Sequence, residues 1–132
     1  MREILDTRFL LEHFVSSDAA VLEKTRMKLR ELRRAGKGVI PTVVLAEFLD
    51  QVCERAGRKE AEEKVESLLV SGLSTYPLTP QIAIVAGGLR CTHRGVPMAD
   101  CIIAATAIHL NGKVVSDDPH FKQIRQVKCA WI

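Results

Sequence analysis

The sequence lacks the signatures of several large classes of protein. No apolar run approaches the ~18 residues that a bilayer crossing requires, so we expect no membrane-spanning helix and no membrane partner. The four cysteines are scattered along the chain and form no Cys-x-x-Cys motif. The four histidines lack the spacing of metal ligands. These absences argue against a disulfide framework and against a zinc site.

Aromatic residues are also scarce, and the net charge is small. Only 5% of the residues are aromatic, and Tyr76 and Trp131 stand apart from any basic cluster, which gives no sign of a base-stacking surface. The net charge of +3 is mild, and it permits a phosphate-bearing partner without requiring one. The opening residues, Met1 to Asp6, are too few and too acidic for a signal peptide, which predicts a cytoplasmic protein.

The remaining composition suits one globular domain spanning 1–132, since 47% of the 132 residues are hydrophobic. Short apolar segments alternate with longer helical patterns. The predicted strands lie near 3–5, 39–40, 73–78, 113–116 and 127–132. The first predicted helix begins after Thr7 and ends at about residue 14. Further helices are predicted over 19–35, 42–56, 58–70, 80–93 and 97–110, and a short one is predicted around 121. Asp18, Thr42 and Thr79 are predicted N-caps. We therefore predict a three-layer α/β/α domain with a small, mainly parallel sheet of four or five strands.

The predicted helix 97–110 is apolar on nearly every side but carries one acid, Asp100, in its first turn. Such a helix is normally buried, and an ionised carboxylate there is costly unless it is paired, capped or bound to a metal. A favourable interaction with the helix dipole, typically ~0.3–1 kcal/mol, is the plain alternative. That gain is too small to explain an acid among apolar positions, so we interpret Asp100 as functional.

Further acids follow directly after predicted strands, namely Asp6 and the pair Asp117 and Asp118. Ligands bind beyond the carboxyl ends of strands in open parallel sheets, so we expect these acids and Asp100 at one edge. Two carboxylates ~4 Å apart repel each other by about 4 kcal/mol at an effective dielectric of ~20, and a hard cation such as Mg²⁺ relieves that repulsion. The alternative is that Asp6 and Asp118 are ordinary helix N-caps.

Four acidic blocks resemble, in order and spacing, those of PIN domains, and especially those of the VapC toxins of type II toxin–antitoxin systems. The blocks cover 4–7, 41–47, 99–107 and 114–121. The second block contains Glu47, which lies opposite the apolar seam of its helix. Amphipathicity alone predicts that Glu47 is solvated, whereas the resemblance implies that it faces the cleft.

The resemblance assigns the four family acids to Asp6, Glu47, Asp100 and Asp118. It implies an endoribonuclease that depends on Mg²⁺ or Mn²⁺. Asp6, Asp100 and Asp118 would be metal ligands, and Glu47 and Asp118 would help to orient the attacking water.

Neighbouring polar residues extend the resemblance and leave one choice open. Ser116 matches a hydroxyl residue, usually threonine, two positions before the fourth acid, and Phe121 matches an aromatic residue three positions after it. Asp117 adds a second acid to this block, so the fourth acid is either Asp117 or Asp118. Thr7 matches the small polar residue that follows the first acid.

The resemblance also implies an RNA substrate, a homodimer and a small antitoxin protein that blocks the site. Predicted helix 19–35 is basic, and its candidates for holding the RNA backbone are Lys28, Arg30, Arg33 and Arg34; a solvated outer face is the alternative. An enzyme of RNA processing or quality control, or a non-catalytic scaffold that binds RNA or protein, also stays open. A phosphate-accepting receiver domain is disfavoured, because the third strand ends in Tyr76-Pro77-Leu78 without an acid.

Overall fold

The computed structural model describes all 132 residues. The chain forms five strands, six α-helices and one 3₁₀-helix. In chain order these are β1 (Glu3–Leu5), α1 (Thr7–Val15), α2 (Ala19–Ala35), β2 (Gly38–Pro41), α3 (Thr42–Ala56), α4 (Arg58–Leu69), β3 (Ser74–Tyr76), α5 (Pro80–Thr92), α6 (Met98–His109), β4 (Lys113–Val115), the 3₁₀-helix (Pro119–Gln123) and β5 (Lys128–Ala130).

The five strands form one sheet in the order β3-β2-β1-β4-β5, and every neighbouring pair is parallel. From β1 the chain moves outward to β2 and β3, and then it crosses back to β4 and β5. Because crossovers between parallel strands are right-handed, connections that run in opposite directions cover opposite faces of the sheet. The predicted three-layer α/β fold is therefore confirmed, and the sheet is wholly rather than mainly parallel.

One hydrophobic core joins the sheet to its helices. Ile4 of β1 and Val114 of β4 are fully buried, and so are Ile103 and Ala104 of α6. Helix α6 packs against both of these strands and against α5, as its all-round apolar sequence predicts. This packing holds the first turn of α6, which carries Asp100, in a fixed position. No helix is both long enough and apolar enough to cross a membrane.

Side-chain caps set the beginnings of several helices. Asp18 caps α2 by accepting hydrogen bonds from backbone N–H groups, and Thr79 caps α5 in the same way, as predicted. The prediction that Thr42 caps α3 is wrong. Strand β2 runs directly into α3, so Pro41 occupies the N-cap position and Thr42 is already helical. The Thr42 hydroxyl instead accepts a hydrogen bond from the backbone N–H of Leu78 at 3.2 Å.

Candidate active site

The acidic side chains meet at the carboxyl ends of β1 and β4, which lie side by side in the sheet. Asp6 follows β1 directly, and Asp118 comes three residues after the end of β4. The direction of strand order changes between these two strands, and such a switch point leaves a crevice in which ligands bind. Helices α3 and α6 bring Glu47 and Asp100 to the same crevice.

Asp6 is almost fully buried, with 3% of its surface exposed. Its Oδ1 accepts a hydrogen bond from the Thr7 backbone N–H at 2.8 Å, and its Oδ2 accepts one from the Ser116 hydroxyl at 2.6 Å. Burial raises the pKa of Asp6 to about 6, and the nearby carboxylates of Asp100 and Glu47 act in the same direction. The Ser116 hydrogen bond opposes this shift without cancelling it. Asp6 is therefore both an N-cap and a member of the acidic cluster.

Glu47 is half-buried and is held by Thr7. The Thr7 hydroxyl donates a hydrogen bond to Glu47 Oε1 at 2.8 Å across the interface between α1 and α3. The backbone N–H of the same threonine binds Asp6, so one residue positions two acids. Amphipathicity is misleading here, because the polar side of α3 at this point faces other acids as well as water.

Asp100, Asp118 and His120 form the tightest group. One ligand atom from each of the three side chains lies within 4.8 Å of the others. His120 Nδ1 lies 2.9 Å from Asp100 Oδ2 and 3.0 Å from Asp118 Oδ1. Burial raises the pKa of Asp100, and the carboxylate of Asp118 raises it further, while His120 opposes the shift.

Ser116 links the two halves of the cluster. It is buried at the end of β4, and its hydroxyl donates to Asp6 while accepting a hydrogen bond from the Asp118 backbone N–H at 3.0 Å. Asp118 in turn caps the 3₁₀-helix by accepting from the His120 backbone N–H at 2.9 Å. A continuous chain of hydrogen bonds thus runs from Glu47 through Thr7, Asp6, Ser116 and Asp118 to His120, and it ends at Asp100.

Asp117 points away from this cluster. Its carboxylate accepts two hydrogen bonds from the Arg8 guanidinium, from Nε at 2.5 Å and from Nη2 at 3.2 Å. This contact with Arg8 lowers the pKa of Asp117, opposite to the shifts of Asp6 and Asp100. Of the two adjacent acids that the sequence leaves open, Asp118 joins the cluster and Asp117 forms an exposed ion pair.

Comparison with known families decides how this arrangement is classified. A profile of the PIN domain family matches residues 4–127, which is nearly the whole chain. The chain belongs to the PIN domain family. Comparison with curated protein sequences found no significant match.

Solved structures share the fold of this PIN domain at low sequence identity. The DNA-bound VapBC2 structure from Rickettsia felis matches with a TM-score of 0.79 and 20% identity, covering 99% of this chain and 98% of that chain. DNA-bound VapBC from Salmonella typhimurium gives 0.78 and 19%, with coverage of 99% and 98%. VapC20 from Mycobacterium tuberculosis, a toxin that cleaves the sarcin–ricin loop, gives 0.70 and 16%, with coverage of 93% and 95%. These three neighbours are thus two VapBC complexes and one VapC toxin.

Helix α2 has a basic face made of Lys28, Arg30, Arg33 and Arg34. This face lies away from the acidic cluster of this PIN domain. Lys28 forms an ion pair of 2.6 Å with Glu3, the first residue of β1, and the Arg33 side chain passes close to Gly72, just before β3. Both contacts are at the amino ends of the strands, whereas the cluster is at the carboxyl ends. The structure therefore does not bring Lys28 and Arg33 together with the acids. The RNA-backbone role of all four α2 residues (Lys28, Arg30, Arg33 and Arg34) stays a prediction.

Two other arginines line a groove that Asp118 also lines. A groove of about 550 Å³ runs between α1 and α3, and its walls include Thr7 and Asp118 at one end. Arg8 and Arg55 line the same groove together with Gln51. Sequence reasoning missed both arginines, because each lies on a helix whose orientation toward the site depends on tertiary packing.

His120 is the other residue of the PIN site that sequence reasoning missed. The spacing of the histidines along the chain gave no metal-site signal, yet His120 meets Asp100 across 20 residues of sequence. A local signal was nevertheless present. His120 comes two residues after Asp118, in a short helix that begins at Pro119, so the two side chains project from the same tight turn.

The donor set fits a divalent cation. Asp6, Asp100 and Asp118 offer carboxylate oxygens, which Mg²⁺ and Mn²⁺ accept as ligands. No basic side chain other than the imidazole of His120 forms an ion pair with these three acids. Burial and the neighbouring carboxylates raise the pKa values of Asp6 and Asp100, and a bound cation would favour the ionised form of both.

Proposed function

We propose that this PIN domain is a Mg²⁺- or Mn²⁺-dependent endoribonuclease that hydrolyses RNA phosphodiester bonds at its acidic cluster. The observation that carries the proposal is the convergence of four carboxylates, those of Asp6, Glu47, Asp100 and Asp118, in one crevice. Unrelieved repulsion of this kind is costly for folding, and its presence at the carboxyl edge of a parallel sheet is typical of a functional site.

In this proposal the ion is held by Asp6, Asp100 and Asp118. When bound, it lowers the pKa of a coordinated water and stabilises charge on the phosphodiester. The chain's own contribution is to fix the ligands before the substrate arrives. Asp6 is fixed by Thr7 and Ser116. The backbone N–H of Asp118 donates to the Ser116 hydroxyl, and its carboxylate accepts from the His120 backbone N–H. Such outer partners orient ligands and raise metal affinity.

Glu47 is proposed to orient the attacking water. Its Oε1 is occupied by the Thr7 hydroxyl, so Oε2 is the oxygen that remains to accept a hydrogen from water. Glu47 is thereby suited to hold the water, and to take its proton, next to the ligands.

The RNA is proposed to enter along the groove between α1 and α3. Arg8 and Arg55 would contact backbone phosphates there, since guanidinium groups bind phosphate oxygens in a bidentate manner. The Arg8 guanidinium lies beside the site, since it bonds to Asp117, the residue that precedes Asp118. The basic face of α2 is proposed to contact only RNA segments distant from the scissile bond.

The biological role proposed is that of the toxin in a toxin–antitoxin pair, acting as a homodimer that a small antitoxin protein inhibits. The support is the similarity in fold to VapC toxins from several bacteria, crystallised in VapBC complexes. Induced expression of the parent chain in a bacterial host is expected to arrest growth, and coexpression of a short neighbouring gene is expected to relieve the arrest. Unimpaired growth would instead favour a role in RNA processing.

RNA cleavage tests the enzymatic proposal directly. We expect the purified protein to cleave RNA with Mg²⁺ or Mn²⁺ and to be inactive with a chelator. Asp100→Asn should reduce cleavage by more than about 100-fold, since changes to residues that merely orient metal ligands already cost about 10- to 100-fold. Asp50→Asn, at an exposed acid on α3, is the matched control and should retain the parent rate. Equal cleavage by the parent and Asp100→Asn would refute the site, and a parent that binds RNA without cleaving it would be a scaffold.

A further inference from the structure

The imidazole of His120 lies where a cation between Asp100 and Asp118 would find its third ligand. Its Nδ1 is 2.9 Å from Asp100 Oδ2 and 3.0 Å from Asp118 Oδ1. The ligand atoms of the three residues all fall within 4.8 Å of one another. Octahedral ligands ~2.1 Å from an ion are ~3.0 Å apart when adjacent, so the two distances from Nδ1 to the carboxylate oxygens suit adjacent ligands of one shared ion.

The backbone holds this imidazole in place. Asp118 accepts a hydrogen bond from the His120 N–H at 2.9 Å, and Pro119 stiffens the turn between them. The next residue, Phe121, is fully buried in the core. The His120 ring is therefore carried on a short, anchored helix, and its side chain is 35% exposed. Nδ1 faces the acids in the arrangement that a ligand requires.

We propose that His120 Nδ1 is a metal ligand together with the carboxylates of Asp100 and Asp118, so that the centre is a mixed nitrogen–oxygen site that favours Mn²⁺ over Mg²⁺. The proposal rests on the metal of the proposed function, but not on RNA as the substrate. A neutral ring with its hydrogen on Nε2 presents the Nδ1 lone pair to the ion.

The metal preference follows from ligand chemistry. Mg²⁺ is a hard ion that favours oxygen ligands and dehydrates reluctantly, so a nitrogen donor adds little to its binding. First-row transition ions accept imidazole readily, and their affinity for nitrogen–oxygen sites rises from Mn²⁺ through Co²⁺ to Ni²⁺. An all-oxygen centre made of Asp6, Asp100 and Asp118 alone would discriminate less between Mn²⁺ and Mg²⁺.

Pulsed electron paramagnetic resonance of bound Mn²⁺ tests the assignment, because it detects nitrogen nuclei coupled to the ion. We expect a ¹⁴N coupling in the parent protein and its loss in His120→Gln. That variant should still bind Mn²⁺ through its carboxylates, about 10-fold more weakly, while its affinity for Mg²⁺ changes by less than about threefold. His109→Gln is the matched control, since this exposed imidazole bonds to Tyr76 and should leave the coupling intact.

A second measurement avoids dependence on the variant's folding. Incorporating ¹⁵N-labelled histidine into the parent chain should replace the ¹⁴N coupling with a ¹⁵N coupling, and His120 is the one histidine in the metal-competent group. Bound Mn²⁺ without nitrogen coupling, or a coupling that persists in folded His120→Gln, would overturn the His120 assignment alone. A parent protein that binds no Mn²⁺ would overturn the assignment and the metal of the proposed function together.

Discussion

The two ends of strand β1 carry buried acids with opposite surroundings. Glu3 begins the strand with 6% of its surface exposed, and Asp6 follows its end with 3% exposed. Glu3 has Lys28 Nζ at 2.6 Å and Lys113 Nζ at 3.8 Å. Asp6 has a hydroxyl, a backbone N–H and two further carboxylates. Lysines at the amino edge of the sheet thus neutralise Glu3, whereas no lysine or arginine forms an ion pair with Asp6, whose charge the proposed metal ion would compensate.

This difference teaches that burial of an acid does not by itself indicate function. Glu3 is structural, because its charge is neutralised within the chain, and removing one partner of a buried pair costs stability. Asp6 and its neighbours are kept close together in spite of repulsion, which is typical of sites that gain their stability on binding a ligand.

The largest stability effect is expected from pH. The folded pKa of Asp6 is raised to about 6 from 3.8, so the folded protein binds more protons than the unfolded chain between these values. In the absence of metal, the free energy of unfolding should therefore fall as the pH rises from about 4 to about 7, with Asp6 accounting for about 3 kcal/mol. Asp100 acts in the same direction. Urea unfolding across this pH range, with chelator present, measures the effect.

Asp6→Asn separates this contribution from those of other groups. The variant has no ionisable side chain at position 6, so its stability should depend less steeply on pH than that of the parent. Saturating Mn²⁺ should also flatten the parent's profile above pH ~6, because the ion replaces the proton. Parallel profiles for the parent and Asp6→Asn would mean that Asp6 titrates as an ordinary carboxyl group.

The next largest effect on stability is expected at the amino edge of the sheet. Lys28→Met removes the closer cation from Glu3 and should lower the free energy of unfolding by about 2 kcal/mol. RNA cleavage by the folded variant should stay near the parent rate, because the Lys28–Glu3 pair lies at the other edge of the sheet from the acids. Lys24→Met, at an exposed position on the same helix, is the control and should change stability by less than about 0.5 kcal/mol. A tenfold loss of cleavage in folded Lys28→Met would instead indicate that α2 contributes to the substrate site.

The smallest effect is expected at Asp117. Its ion pair with Arg8 is exposed, with side-chain accessibilities of 39% and 53%, and such pairs contribute about 0–1 kcal/mol. Asp117→Asn should therefore change stability within that range and cleavage by less than about threefold. Asp118→Asn, one residue away, should instead cause a large loss of cleavage. Similar losses in the two variants would show that both acids belong to the site.

Much of the fold could be predicted from local sequence signals. Alternating short strands and helices predicted the layered α/β architecture, and Asp6, Asp18 and Thr79 were recognisable as caps because capping needs only neighbouring residues. Thr42 was misassigned as a cap because the direct passage from β2 into α3 shifts the helix start by one residue. A cap prediction fails when tertiary structure decides where the helix begins.

The site could be predicted only in part, since its contacts are long-range. The acids after β1 and β4 follow from the general rule about the carboxyl ends of parallel strands. Glu47 was found only through a family resemblance, because hydrophobic periodicity does not distinguish a helix face toward water from one toward an acidic crevice. His120, Arg8 and Arg55 depend on which helix faces lie next to the crevice, and the sequence pattern does not encode that arrangement.

A calorimetric titration with Mn²⁺ is the most direct test of the contrast between the two edges of the sheet. The parent protein should show saturable binding, Asp100→Asn should lose it or bind at least about 10-fold more weakly, and Glu3→Gln should bind as the parent does. Absence of saturable binding by the parent, or equal binding by Asp100→Asn, would contradict the claim that the carboxyl-edge acids form a metal centre.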